Sequence, residues 1–222
     1  MAKNTLYDSL GKIVILGGTF DPIHNGHMQM AHLLLSIFKT KITFIPTGIP
    51  DYKAPPQASN EHRLNMLELA LNGHPYFQID TRETEAHVYS PTYQTLLGIR
   101  REINNQVPIY FLIGGDSLIN LDSWDCWVEL LGLTHFVVAN RMGYSMNAIQ
   151  SDELKAEFIK RKRNEFKDLN TRSAGYFYML DFTPDDVSST LIRCKVKNGE
   201  DISGYVSDSV ASYIHQHHLY LD

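Results

Sequence analysis

Two histidines three residues apart, His24 and His27, stand in the segment Gly17-Gly18-Thr19-Phe20-Asp21-Pro22-Ile23-His24-Asn25-Gly26-His27. At that spacing both imidazoles can reach the same side of a helix start. Each ring offers an N–H donor, and two such donors can follow negative charge as it develops on a pentacoordinate phosphorus. Gly17 and Gly18 allow a close ligand approach that a side chain would block. The unpaired N–H groups of the following helix, with the positive end of its dipole, favour an anion. Two plainer readings compete: histidines bonded to the local backbone, or a pair of metal ligands. Zinc would need further ligands, and no neighbouring cysteine or clear second histidine-rich segment supplies them. Donation to phosphate is the stronger reading.

A second cluster lies in Val187-Ser188-Ser189-Thr190-Leu191-Ile192-Arg193. Ser188 suits the N-cap of a helix running to about Lys197, and Gly199 suits its stop. Ser189 and Thr190 then lie in the first turn, where hydroxyls and free N–H groups can face phosphate oxygens. Arg193 lies one turn further, where its planar fork can grip the β- and γ-phosphates of a triphosphate. Taken by itself, the segment would also suit an ordinary capped surface helix.

Together the two segments are distinctive. Thr19-Phe20-Asp21-Pro22-Ile23-His24-Asn25-Gly26-His27 resembles the signature of the nucleotidyltransferase superfamily, whose enzymes transfer a nucleoside monophosphate from a nucleoside triphosphate. Val187 to Arg193 resembles that superfamily's Ile-Ser-Ser-Thr-x-Ile-Arg segment, in the matching order along the chain.

The elements that must position these residues follow from apolar patterning. Strands are expected at 12–16, 41–46, 76–80, 108–113, 133–138 and 176–180. Helices are expected at 25–38, 60–72, 92–105, 124–131, 151–166, 188–198 and 207–218, with Asn25 as the N-cap of the first. The alternation predicts an α/β fold, a Rossmann-like doubly wound parallel sheet with helices on both faces. Residues 1–222 read as a single domain, with 1–10 a loose N-terminal extension and 142–175 a peripheral insertion.

Ligands in such sheets collect beyond the C-terminal ends of the strands, which draws attention to three loops. Pro46-Thr47-Gly48-Ile49-Pro50-Asp51-Tyr52-Lys53 resembles a superfamily loop usually ending in Pro-Pro-His-Lys/Arg. Lys53 matches its basic end and could reach a substrate phosphate, whereas Asp51 and Tyr52 depart from the usual Pro and His. In Ile113-Gly114-Gly115-Asp116-Ser117 a carboxylate follows a strand, suited to ribose hydroxyls, and Trp124 comes shortly after. In Ser90-Pro91-Thr92-Tyr93-Gln94-Thr95-Leu96, Thr92 can open a helix and aim N–H groups at an anion.

These loops resemble the bacterial nicotinate-nucleotide adenylyltransferase family, as does His135-Phe136-Val137-Val138-Ala139-Asn140-Arg141. The family pattern differs at Pro91, often Tyr, and at Met142, commonly Pro. The resemblance implies ATP and nicotinate mononucleotide as substrates, with Mg²⁺ carried mainly by the ATP phosphates. It implies His24, His27 and Arg193 as catalytic residues, and Gly17, Gly18, Thr19, Phe20, Asp116, Ser188, Ser189 and Thr190 as the ATP site. Lys53, Thr92 and Trp124 would take nicotinate mononucleotide, Trp124 stacking on its cationic ring for roughly 0.5–2 kcal/mol. Without the family, Trp124 reads as a half-buried core aromatic. A phosphopantetheine adenylyltransferase and a non-catalytic nucleotide-sensing module are the alternatives.

Composition bounds partners and compartment. A net charge of −5 argues against a general nucleic-acid binder, which needs a basic face. No run approaches membrane-spanning length, and the first residues lack the apolar core of a signal peptide. Cys126 and Cys194 show no metal spacing, so reduced thiols in a cytoplasmic protein are expected. His215-Gln216-His217-His218 reads as a solvated helix face, and a homo-oligomer stays open.

Overall fold

The computed structural model describes residues 6–7, 10–48, 55–85, 91–140, 148–182 and 187–221. The chain runs β1 (Ile13–Gly18), α1 (Asn25–Phe38), β2 (Ile42–Pro46), α2 (Asn60–Leu71), β3 (Phe77–Ile79) and α3 (Arg82–Glu85). It continues through α4 (Thr92–Glu102), β4 (Ile109–Gly114), α5 (Gly115–Ile119), α6 (Trp127–Leu130) and β5 (His135–Asn140). It ends with α7 (Asp152–Arg161), β6 (Lys162–Arg163), β7 (Phe177–Asp181), α8 (Ser189–Lys197) and α9 (Asp208–Gln216). Residues divide between two compact units, one of 1–17 and 90–183, the other of 18–89 and 184–222.

In the first unit the strand order is β1-β4-β5-β7-β6, and every registered pair is parallel. Ile13, Val14, Ile15 and Leu16 are buried, as are Ile109 to Ile113, the continuous apolar runs of strands covered on both faces. β1 pairs with β4 although β2 and β3 intervene in sequence. That pairing is a crossover, and the ends of β1 and β4 carry Gly17 and Gly114. Arg100 pins the opposite end, donating to the carbonyls of Leu133, Val107 and Ser173. Burial pushes its pKa down to about 10.

In the second unit β2 and β3 pair in parallel, and α2 packs against α9. Serine hydroxyls cap α2, α8 and α9 by accepting from the N–H three residues on, at Ser59, Ser188 and Ser207. Gly199, at φ +69°, follows α8 in the left-handed region that the sequence assigned to a helix stop.

Several boundaries differ from the pattern. The helix expected at 151–166 stops at Arg161, because Lys162 and Arg163 extend beside Phe177 and Tyr178 as β6. The helix expected at 124–131 shrinks to four residues: Trp124 is extended, and Cys126 sits at φ +52°. Residues 148–175 give the first unit buried Leu154, Phe158 and Leu169. Of residues 1–10, Tyr7 is buried.

Candidate active site

The second unit assembles both motifs, the histidine segment and Val187 to Arg193. After Gly18 the chain turns sharply at Phe20, φ +49°, which buries its ring against Phe44 and meets the His27 ring edge-on. A Cβ on Gly18 would lie 2.9 Å from the Phe20 ring, so only glycine fits beneath it. The N-cap of α1 is His24, not Asn25. Asn25 is occupied elsewhere, its side chain donating to Gly204 O at 2.7 Å and its backbone N–H to Tyr205 O at 2.8 Å.

The His24 and His27 rings stack, with centroids 3.7 Å apart. His27 Nδ1 accepts the backbone N–H of His24 at 3.3 Å. That bond leaves the proton of the neutral imidazole on Nε2, the nitrogen then able to donate to a phosphate oxygen. His24 is buried and His27 is half-exposed.

The two motifs meet through three contacts. A Cβ on Gly26 would touch Val187 at 3.0 Å, so the glycine lets α1 start against the residue that opens the second motif. Ser189 Oγ donates to Pro22 O at 2.9 Å, and Arg193 Nη1 donates to Asp21 O at 2.7 Å. Arg193 Nη2 reaches Thr190 Oγ1 at 3.3 Å. Thr190 therefore accepts from the arginine and keeps its own O–H as a donor, whereas the Ser189 proton is committed to Pro22. Ser188 accepts from Leu191 N–H and so acts as the cap of α8. The fork of Arg193 and the first turn of α8 thus lie against the histidine loop, an arrangement suited to a polyphosphate.

Two residues that the sequence reading did not single out hold this loop. Asp21 is buried and accepts from Gln57 N–H, Ala58 N–H and Tyr220 O–H. Arg63 is fully buried and donates to Thr19 O at 2.6 Å, Thr47 O at 2.7 Å and Asn60 Oδ1 at 2.6 Å. Burial lowers its pKa, and the nearby Asp21, Tyr220 and Glu83 oppose that shift. A usable signal existed: Arg63 shares the buried stripe of α2 with Met66, Leu67 and Leu71, an unusual place for a charge.

The remaining expected residues belong to the first unit or lie outside the described residues. A Cβ on Gly17 would lie 3.0 Å from the Phe111 ring. Asp116 is exposed in the first turn of α5, and its Oδ1 would lie 2.4 Å from a Cβ on Gly114. Thr92 is the first residue of α4, with Pro91 at the N-cap position and no side-chain cap hydrogen bond. Trp124 is half-buried, edge-on to Phe111 at 6.5 Å. Lys53, with Asp51 and Tyr52, and Arg141 with Met142 lie outside the described residues. Among the described residues no group of three or more His, Cys, Asp or Glu side chains is placed to hold a metal ion. No helix there is long and apolar enough to cross a membrane.

Residues 15–195 match the model of the cytidylyltransferase-like family, and the chain belongs to that family. Within it, the chain is 37% identical over 209 residues to a Laribacter hongkongensis protein described as "probable nicotinate-nucleotide adenylyltransferase", covering 94% of each. It is 38% identical to a Hahella chejuensis protein of the same description, covering 94% of this chain and 95% of that one. Among solved structures, it resembles Plasmodium falciparum nicotinic acid mononucleotide adenylyltransferase complexed with NaAD. That likeness has a TM-score of 0.70 at 21% identity, covering 94% of this chain and 97% of the other. The expected fold class, a Rossmann-like α/β nucleotidyltransferase fold, is therefore the observed one.

Proposed function

We propose that this chain joins ATP to nicotinate mononucleotide, giving nicotinate adenine dinucleotide and pyrophosphate. The observation that carries the reading is the convergence of the two motifs: stacked His24 and His27 beside a loop whose Asp21 carbonyl holds Arg193 at 2.7 Å. The full-length likeness to the two bacterial relatives supplies the acceptor substrate.

An oxygen of the mononucleotide 5′-phosphate attacks the α-phosphorus of ATP in line. The new P–O bond forms as the bond from the α-phosphorus to the α,β-bridging oxygen breaks, and pyrophosphate leaves. A phosphate monoester is anionic near neutral pH and needs neither a strong base nor an enzyme nucleophile. Catalysis then rests on positioning and on charge stabilisation. His24 and His27 serve the phosphates flanking the broken bond, with the Gly17-Gly18-Thr19-Phe20 backbone beside them. Arg193, Thr190 and the N–H groups of Ser189 and its neighbours in the first turn of α8 hold the leaving pyrophosphate. Asp116 takes the ribose of ATP, while Thr92, Trp124 and Lys53 take the mononucleotide. Mg²⁺ would enter on the triphosphate, where it neutralises charge on the phosphate oxygens.

Pyrophosphate release from Mg-ATP tests the reading when nicotinate mononucleotide, nicotinamide mononucleotide and phosphopantetheine are offered side by side. Fast release with the nicotinate substrate is the expected result. Preference for either alternative reassigns the acceptor, and ATP binding without release from any of the three points to a sensing module.

A further inference from the structure

We propose that Tyr220 is a positioning residue for ATP: its hydroxyl holds the Asp21 carboxylate away from Arg193 and so keeps the guanidinium available to the triphosphate. The inference rests on the assignment of Arg193 to that triphosphate. Asp21 presents two different acceptors to its surroundings. Its backbone carbonyl takes Arg193 Nη1 at 2.7 Å, while its nearest carboxylate oxygen, Oδ2, stands 3.9 Å from the same nitrogen. Aspartate and arginine side chains in direct contact frequently form a bidentate pair with N–H···O⁻ bonds at about 2.7–2.9 Å. Among the described residues, three donors from other segments engage the carboxylate instead. Oδ2 accepts Gln57 N–H at 2.8 Å, and Oδ1 accepts Ala58 N–H at 3.1 Å and Tyr220 O–H at 2.8 Å.

The consequence is electrostatic. A closed Asp21–Arg193 pair would spend two guanidinium N–H groups and much of its positive charge on the protein's own carboxylate. ATP would then have to break that pair in order to bind. Held by a neutral carbonyl, the arginine keeps its charge for phosphate oxygens, with its side chain 22% exposed. Of the three donors, two are backbone groups of the 57–58 segment, and Tyr220 is the one side chain. Tyr220 itself is buried, and burial together with Asp21 raises the pKa of its phenol, so it remains a donor at all working pH values.

The test is Tyr220→Phe, which keeps the buried ring and removes only the donor, combined with Arg193→Ala in a double-mutant cycle. Tyr220→Phe is expected to raise the KM for ATP about tenfold, with kcat and the KM for nicotinate mononucleotide each changed less than about twofold. In the Arg193→Ala background the same substitution is expected to leave the KM for ATP unchanged, since no guanidinium remains to be captured. Melting followed by circular dichroism accompanies the kinetics, and a variant with a lowered midpoint is assayed at a temperature where it is fully folded. An unchanged KM for ATP in Tyr220→Phe, beside a raised one in Arg193→Ala, overturns this inference alone. A rise of equal size in both backgrounds also overturns it, because the effect then does not pass through Arg193. An unchanged KM and kcat in Arg193→Ala overturns both this inference and the site assignment beneath it.

Discussion

The imidazoles of His24 and His27 stack with centroids 3.7 Å apart and ring planes inclined by 23°. The contact follows from their positions at the N-cap and third residue of α1, where the His24 N–H also bonds to His27 Nδ1. Stacking orients two donor-bearing rings together without help from a distant element. Phe20, packed edge-on to His27 at 5.0 Å, fixes the ring from the other direction.

Replacing His27 with alanine should therefore lower kcat by on the order of 10²–10³-fold, the cost of one donor to transition-state charge. Steady-state kinetics and a circular dichroism spectrum check it together. Near-normal turnover in a folded variant would remove His27 from the chemistry.

Arg193→Ala should act on ATP more than on the mononucleotide. Loss of a charge-assisted contact predicts a KM for ATP raised about tenfold or more, with the KM for nicotinate mononucleotide nearly unchanged. Initial rates with each substrate varied in turn provide the comparison.

Two glycines should fail in different ways. In Gly114→Ala the new methyl meets the mobile end of the Asp116 side chain at 2.4 Å. The carboxylate moves aside, so the KM for ATP should rise about fivefold while the melting temperature holds. In Gly48→Ala the methyl meets the backbone oxygen of Glu83 at 2.1 Å. The backbone must shift there, and urea unfolding should report a loss of about 1–3 kcal/mol.

Arg63→Met should destabilise the protein by about 3–5 kcal/mol, because the carbonyls of Thr19 and Thr47 and the side chain of Asn60 lose their donor together. Chemical denaturation measures it. A loss below about 1 kcal/mol would mean that those acceptors find other partners.

Stability should also fall in mild acid through His135. This fully buried ring accepts Tyr176 N–H at Nδ1 and donates to Arg172 O from Nε2, and burial holds its pKa at about 4, below the ordinary 6.5. Above pH 6.5 the ring is neutral in both folded and unfolded chains, and its contribution is complete. As pH falls from 6.5 towards 4 the unfolded chain takes up the proton first, which costs up to roughly 3 kcal/mol. Urea midpoints across that range should drop in the parent protein and drop less in His135→Gln.

Much of this was legible in the sequence because its signals are local. Buried strands such as Ile13–Leu16 read directly as apolar runs, and Ser188 with Gly199 marked both ends of α8. The histidine segment and the Ser188–Arg193 segment could both be picked out from residue types and spacing. What escaped depends on distance along the chain. Tyr220 meets Asp21 across 199 residues, and nothing in its own neighbourhood announces the bond. Arg63 was visible only as a charge on an apolar stripe, whose meaning depends on the carbonyls above it. The cap of α1 was assigned to Asn25 from side-chain preference, but Gly204 and Tyr205 engage Asn25 and leave the cap to His24. Helices α5 and α6, of five and four residues, are too short to show a period.

Direct transfer in a site that only positions and neutralises is the central claim, and the stereochemistry at the α-phosphorus tests it most directly. ATP made chiral at that phosphorus by a single sulfur substitution is allowed to react with nicotinate mononucleotide, and the configuration of the dinucleotide product is determined. One in-line displacement inverts the centre, and inversion is the expected result. Retention would require two displacements through an adenylylated side chain, and would contradict a mechanism in which His24, His27 and Arg193 serve only as donors.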